Sequence, residues 1–96
     1  MLTPEFSTHF QRDMKRLKKK HADMTPLMEV IDLVVQNDTT SLLELRTRHR
    51  MHDLKGKWAG KRECHVANLG DWLCVWQVKN GIAYFIRTGT HQEIFR

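Results

Sequence analysis

Apolar residues recur at helical spacing in the first half of the chain and alternate with polar residues in the second half. Ser7 is a typical N-cap for the first helix. The apolar stripe of that helix lies opposite a basic face and consists of Phe10, Met14, Leu17 and His21. A second stripe follows Thr25-Pro26, a pair typical of helix N-termini, and Asn37 can end it. The two stripes predict an antiparallel helical hairpin.

Three apolar runs in the second half predict β-strands, at residues 62–66, 71–78 and 82–86. The Asn80-Gly81 pair between the last two runs is a strong hairpin signal. Alternation places Cys64 on one face of the first strand and His65 on the other. We assign the Cys64 face to the helices, so we expect His65 to face solvent or a cleft.

The order of strand, two helices and an antiparallel meander predicts an α+β fold, with the helices on one face of a sheet. The N-terminal strand covers residues 2–6 and is expected at an edge, because Pro4 lacks an N–H. Residues 38–41 are expected to form a loop, and residues 42–45 a short helical turn or packed connection. The 96 residues are expected to form one domain, 1–96.

Charge and composition narrow the class of protein. Sixteen Lys and Arg residues against eleven Asp and Glu give a net charge of +5, which suggests a polyanion or an acidic protein as partner. No apolar run approaches the roughly 20 residues of a membrane helix, and the N-terminus lacks a signal-peptide layout, so we expect a cytoplasmic protein. Cys64 and Cys74 lack metal-ligand spacing and are predicted to be buried thiols.

Three histidines, His52, His65 and His91, lie at or near the ends of predicted elements, and Asp71 opens a strand. Histidine exchanges protons near neutral pH, so it suits general acid and base catalysis. RNA cleavage needs a base for the ribose 2′-OH, an acid for the leaving 5′-oxygen and stabilisation of the phosphorane charge. Such a set of side chains, with nearby Lys or Arg, can perform this reaction without a metal.

Each of these residues also has a purely structural interpretation. Single histidines are commonly surface residues, Asp71 is a common turn residue, and Trp72 shares a strand face with Trp76 and can belong to the core. A zinc site is disfavoured because no close-spaced ligand pair is present. Its candidate ligands would be His52, His65, His91 and Asp71.

Several short motifs, in order along nearly the whole chain, resemble the YafQ branch of the RelE/ParE toxin superfamily. They are His52-Asp53-Leu54-Lys55-Gly56-Lys57-Trp58, Arg62-Glu63-Cys64-His65-Val66, Asp71-Trp72-Leu73, Arg87-Thr88-Gly89-Thr90-His91 and Phe95. The spacing from His65 to Asp71 is longer than is typical of the family, so we expect a different turn before Asp71.

The resemblance implies the RelE-like microbial ribonuclease fold, with a helical hairpin against a curved antiparallel sheet. It implies a bacterial, cytoplasmic toxin of a type II toxin–antitoxin pair that enters the ribosomal A site and cuts mRNA there. No metal or other cofactor is expected. The implied partners are mRNA and rRNA on the ribosome and a DinJ- or RelB-like antitoxin that covers the basic surface. Operator DNA would be bound only through the antitoxin complex.

The resemblance also assigns residues. The implied catalytic residues are His52, His65, Asp71 and His91, with His91 as the best candidate for the general acid and Asp71 or His65 as the base. His52 would bind the phosphate or share the acid/base work. The implied RNA-binding residues are Trp72 and Phe95, which would stack on bases, and Arg87, Lys55 and Arg62, which would offset phosphate charge.

Two alternatives remain open at this point. A ParE-like toxin directed at gyrase would share the fold without the chemistry, and has no evident use for three histidines with Asp71. A catalytically silent RNA- or protein-binding module is compatible with the basic face of the first helix. A direct DNA-binding regulator is disfavoured, because the basic helix lacks a recognition-helix partner.

Overall fold

A computed structural model describes residues 1–67 and 70–95 of the chain. The helices are α1 (Thr8–Lys19), α2 (Thr25–Gln36), α3 (Thr39–Arg48) and the short C-terminal α4 (His91–Ile94). The strands are β1 (Thr3–Phe6), β2 (His52–Asp53), β3 (Arg62–His65), β4 (Leu73–Lys79) and β5 (Ile82–Gly89). A single 3-10 turn, Gly56–Trp58, lies between β2 and β3. In these two ranges, no helix is long and apolar enough to cross a membrane.

The strands form one five-stranded sheet in the order β1-β5-β4-β3-β2. The last four strands in sequence are antiparallel, and β3, β4 and β5 form the predicted meander. β2 was not predicted, and β1 pairs with β5 in parallel, which makes the sheet mixed. β1 is an edge strand of the sheet, with Thr3 opposite Ile82 of β5. An edge strand tolerates Pro4, which has no N–H to donate. The predicted α+β class is confirmed, with α1, α2 and α3 on one face of the sheet and the short α4 on the other.

Local signals account for most element ends. The Ser7 side chain accepts a hydrogen bond from the Phe10 N–H and caps α1 as predicted. Asn37 closes α2 in the left-handed conformation, with φ of 52°. Asn80 and Gly81 both have positive φ, 52° and 76°, as the hairpin between β4 and β5 requires. The predicted connection at residues 67–70 includes Asn68 and Leu69, which lie outside the described residues.

The prediction of a loop at residues 38–41 was wrong, because this stretch begins the ten-residue helix α3. Asp38 is its N-cap, and its carboxylate accepts the Ser41 N–H at 2.7 Å. Leu45 is fully buried against α2, so packing supports a helix that three consecutive Thr and Ser residues disfavour by propensity. His21, predicted on the α1 stripe, is exposed and follows the helix in a left-handed conformation.

Both faces of the sheet are covered, but one buries a much larger apolar cluster than the other. The main core lies under α1, α2 and α3, and includes Phe10, Phe85 and Trp76 at 0–1% exposure. Cys64 and Cys74, a cross-strand pair of buried free thiols, face it as predicted. The opposite face carries a smaller cluster, covered by α4 and the segment between β2 and β3. It consists of Leu73, Val75 and Ile94 with half-buried Leu54, Trp58, Ile86 and Phe95.

Candidate active site

Asp71 and His91 form the central pair of the site. The His91 Nδ1 lies 2.5 Å from Asp71 Oδ1, and the backbone N–H of His91 donates to the same carboxylate at 3.0 Å. The side chains of Asp71 and His91 are 47% and 56% exposed, so both are accessible from solvent. The backbone N–H of His91 is the main reason that the pKa of Asp71 lies below its ordinary value. A carboxylate at Nδ1 fixes the ring and leaves Nε2 on the far side of it, free of Asp71.

His65 stands beside this pair, at the end of β3. Its ring centroid lies 6.4 Å from that of His91. Burial and, next, the charge of Arg50 lower the pKa of His65 below its ordinary value, which favours the neutral form of the ring. His49 holds the backbone in place, since its Nδ1 contacts the His65 carbonyl at 2.9 Å and its carbonyl accepts the His65 N–H at 2.7 Å. His49 is itself 5% exposed, so it supports the site from within the fold.

His52 occupies β2, directly opposite Glu63 of β3. Its Nε2 lies 3.4 Å from Glu63 Oε1, and its Nδ1 lies 3.1 Å from the Arg50 carbonyl. Glu63 is only 3% exposed and shares a strand face with His65. The buried carboxylate therefore orients His52 at the margin of the site, whereas His52 itself is about half exposed.

The aromatic ring of Phe95 extends the site beyond His91. The two ring centroids are 6.1 Å apart, and Trp58 meets Phe95 edge-on at 5.0 Å. These half-buried rings form one wall of a cleft of about 420 Å³. We call it the aromatic cleft; its lining residues are Lys57, Trp58, Lys61, Ile86, Ile94 and Phe95.

Trp72, predicted to stack on a base, packs on the opposite side of the sheet from Phe95. Its ring lies against the main core, and its indole N–H donates to Thr88 Oγ1 at 2.9 Å. The Thr88 hydroxyl in turn donates to the Leu73 carbonyl at 2.7 Å. These bonds tie the start of β4 to the end of β5, and so set the position of Asp71 relative to His91.

Asp13 of α1, which sequence analysis did not single out, anchors the same strand end. The carboxylate accepts two bonds from Arg87, at 2.8 and 3.2 Å, and one from Arg16 at 2.8 Å. It also accepts the Thr88 N–H at 3.1 Å. Burial alone would raise the pKa of Asp13, but these bonds outweigh it and lower the pKa below its ordinary value. The available signal was spacing, since Asp13 falls three residues after Phe10 on the buried stripe of α1.

Glu93 completes the support of α4. Its side chain accepts the Thr90 N–H, the Thr90 hydroxyl accepts the Glu93 N–H, and Glu93 Oε2 lies 3.1 Å from Arg16 Nε. A side chain at Gly89 would collide with this arrangement, because its Cβ would lie 2.7 Å from Glu93 Oε1. The Thr-Gly-Thr-His motif thus combines a glycine that admits Glu93 with the threonine that caps the helix bearing His91.

The three predicted phosphate-binding cations lie in different settings. Arg87 is 19% exposed and bound to Asp13, and its pKa is raised mainly by that contact. Arg62 is half-buried, with its Nε 3.5 Å from Asp53 Oδ1. Lys55 is exposed and precedes the 3-10 turn that carries Lys57. The structure therefore places His65, Asp71, His91 and Phe95 in one site, with His52 at its margin. Trp72 packs against the main core and Arg87 is paired with Asp13, so both lie outside this group.

Residues 2–96 match the family described as bacterial toxins of type II toxin–antitoxin systems, YafQ. The chain belongs to the YafQ family. The mRNA interferase toxin YafQ of Escherichia coli K12 is 33% identical over 91 residues, which cover 95% of this chain and 92% of that protein. The family predicted from the motifs is therefore confirmed.

Solved structures of this family agree with the fold. The crystal structure of YafQ from E. coli BL21(DE3) matches with a TM-score of 0.84 and 30% identity, and all of both chains is covered. YafQ in the crystal structure of the E. coli DinJ–YafQ complex matches with a TM-score of 0.83 and 32% identity, over 99% of this chain and 98% of that one.

Proposed function

We propose that this protein is an mRNA interferase, an endoribonuclease that enters the ribosomal A site, cuts the mRNA there and so inhibits translation. The observation that carries the proposal is the contact of Asp71 with His91, beside the ring of His65. Membership of the YafQ family supports it, since the E. coli K12 relative is named an mRNA interferase toxin. Gyrase-directed toxicity gains no support from this arrangement, because it needs no paired acid and base.

The proposed chemistry is acid/base catalysis by side chains, without a metal. His65 takes the proton of the ribose 2′-OH, and the 2′-oxygen attacks the adjacent phosphorus. The bond from phosphorus to the 5′-oxygen breaks, and the leaving oxygen takes a proton from His91 Nε2. Asp71 stabilises the protonated His91 before that transfer. With ring centroids 6.4 Å apart, the two histidines are close enough to act on the same phosphodiester.

His52 is proposed to bind a phosphate oxygen at the margin of the site, with Lys55 and Arg62 nearby in sequence. Phe95 is proposed to stack on a base. Trp72 and Arg87, assigned to RNA by the resemblance, act in this proposal mainly by holding the strand ends, since each is bound to a protein group.

We further propose that a DinJ-like antitoxin binds this toxin and neutralises it. A relative with a TM-score of 0.83 was crystallised as a DinJ–YafQ complex, which supports a partner of this kind. The net charge of +5 favours an acidic partner. If the toxin–antitoxin complex represses its own operon, we expect the antitoxin to make the contacts with operator DNA.

Primer extension on a reporter mRNA, in a translating extract, tests the proposal. Wild type should give discrete in-frame cuts, and the same mRNA without ribosomes should stay intact. His91→Ala should slow cleavage by roughly 100-fold or more, as loss of a general acid does. His9→Ala, at an exposed position on α1, is the matched control and should cut like wild type.

Three other outcomes would contradict parts of the proposal. Cuts that persist in His91→Ala would move the acid role to His65 or His52. Cuts on free mRNA would remove the ribosome requirement. No cuts from folded wild type would overturn the nuclease assignment, and a gyrase inhibition assay would then decide between the ParE-like and the silent alternatives.

A further inference from the structure

The aromatic cleft lies next to the proposed catalytic pair but plays no part in the acid/base chemistry. Its floor is apolar, made by Ile86 and Ile94, and the rings of Trp58 and Phe95 stand at its side. Its volume of about 420 Å³ is within the range of ligand-binding pockets, roughly 300–1,000 Å³. Trp58, Ile86 and Phe95 remain half-buried, so apolar surface is left open to a ligand.

Two cations border this apolar surface. Lys57 is exposed, Lys61 is half-buried, and both line the cleft together with Trp58. Apolar rings beside ammonium groups match a nucleotide, whose base has a flat π-face and whose phosphate is an anion. None of the lining residues is acidic, so nothing in the lining repels a phosphate.

Continuity with the catalytic pair indicates which nucleotide is bound. Phe95 lines the cleft and also lies 6.1 Å, between ring centroids, from His91. A nucleotide in the cleft can therefore belong to the same RNA strand whose phosphate is bound at His65 and His91.

We propose that the aromatic cleft is a nucleotide-binding subsite for the mRNA residue next to the cut. In this subsite the base packs on Trp58 and Phe95, and its phosphate is bound by Lys57 and Lys61. The proposal rests on the proposed nuclease function and adds to it Trp58, Lys57 and Lys61, none of which takes part in proton transfer.

Binding of a short RNA tests the subsite separately from cleavage. The probe is a fluorescent RNA hexanucleotide with 2′-methoxy groups on every ribose, which removes the nucleophile and prevents cutting. Lys57→Gln/Lys61→Gln should weaken its binding several-fold and lower the slope of log Kd against log salt by about 0.7, the contribution of one phosphate contact on a single strand. Lys18→Gln/Lys19→Gln is the matched control: it removes the same charge from the end of α1, on the other side of the sheet.

A substitution of the ring tests the stacking itself. Trp58→Leu keeps an apolar side chain in the smaller cluster and should weaken hexanucleotide binding roughly tenfold, as loss of one base stack does. Tyr84→Leu, which removes an exposed ring outside the cleft lining, should bind like wild type. Thermal unfolding of each variant establishes that it is folded before binding is compared.

Two results would overturn the subsite. One is a folded Trp58→Leu variant that binds the hexanucleotide like wild type; the other is a Lys57→Gln/Lys61→Gln variant no weaker than its α1 control. Loss of antitoxin binding in Trp58→Leu, with unchanged RNA binding, would assign the cleft to the antitoxin instead. Primer extension with wild type reports on the nuclease function independently, so failure of that function and failure of the subsite give different results.

Discussion

The two faces of the sheet bury very different surfaces. Under α1, α2 and α3, the rings of Phe10, Phe85 and Trp76 are almost completely removed from solvent. On the opposite face, the buried apolar side chains among the described residues are Leu73, Val75 and Ile94, and the rings of Trp58 and Phe95 stay half-exposed. One sheet therefore provides a closed face that carries most of the apolar burial and an open face that carries the candidate site.

The difference shows how a small domain separates stability from function. Burial of apolar surface supplies the main driving force for folding, and the helix-covered face provides most of it. His91 and Asp71 lie at the edge of the smaller cluster, where about half of each side chain is exposed. The link between the two faces is Asp13, which reaches from α1 to Arg87 and Thr88 at the end of β5. Substitutions on each face should therefore have different consequences.

The largest effect on stability is expected on the closed face. Phe85→Ala should lower the free energy of unfolding by about 4 kcal/mol, because it removes a fully buried ring and leaves a cavity. Urea denaturation followed by tryptophan fluorescence measures the change. The adjacent Tyr84 is 37% exposed, and Tyr84→Ala should cost under about 1 kcal/mol. Similar costs for the two substitutions would show that the faces do not differ in the way described here.

A smaller loss is expected where the two faces are joined. Asp13→Asn removes the charge that binds Arg87 and Arg16, and should lower the free energy of unfolding by roughly 2 kcal/mol at pH 7. It should also slow mRNA cleavage, because the strand end that positions the site is loosened.

The pH dependence of Asp13→Asn gives an independent check. Since the folded-state pKa of Asp13 is lowered, its contribution to stability is complete above the unfolded pKa, about 3.9, and is lost as pH falls through the folded value. Urea denaturation from pH 7 to pH 2 should therefore show the wild-type and Asp13→Asn curves converging in acid. A constant gap between the curves would show that ionisation of Asp13 is not the cause.

The smallest expected change is a shift in the pH dependence of cleavage, caused by a substitution near His65 on the open face. If His65 is the base, cleavage should rise with pH through the pKa of His65, which burial and then Arg50 hold below 6.5. Arg50→Gln removes one lowering charge, so the acid limb of the pH–rate profile should move to higher pH, by less than about one unit because Arg50 is exposed and screened. Stability at pH 7 should hardly change. Arg46→Gln, on the exposed side of α3, serves as the control, and equal profiles for the two variants would argue against His65 as the base.

Local patterns in the sequence were enough to predict much of the fold. Helical spacing located α1 and α2, and the Asn80-Gly81 turn located the hairpin of β4 and β5. Alternation placed Cys64 toward the helices and His65 away from them. Of α3, only a short helical turn or packed connection at residues 42–45 was predicted, because the first turn of the helix has weak helical propensity and depends on the Asp38 cap and on burial of Leu45.

The sequence by itself determined the periodicities, the charge, the family and the residue types available for acid/base chemistry, because these depend on near neighbours and on motif order. Only the tertiary structure decided which side chains meet. It joined Asp71 to His91, twenty positions apart, set Trp72 behind the site, and bound Arg87 to Asp13 across the chain. These contacts depend on strand register and on the way helices pack across the sheet, and a linear pattern carries neither.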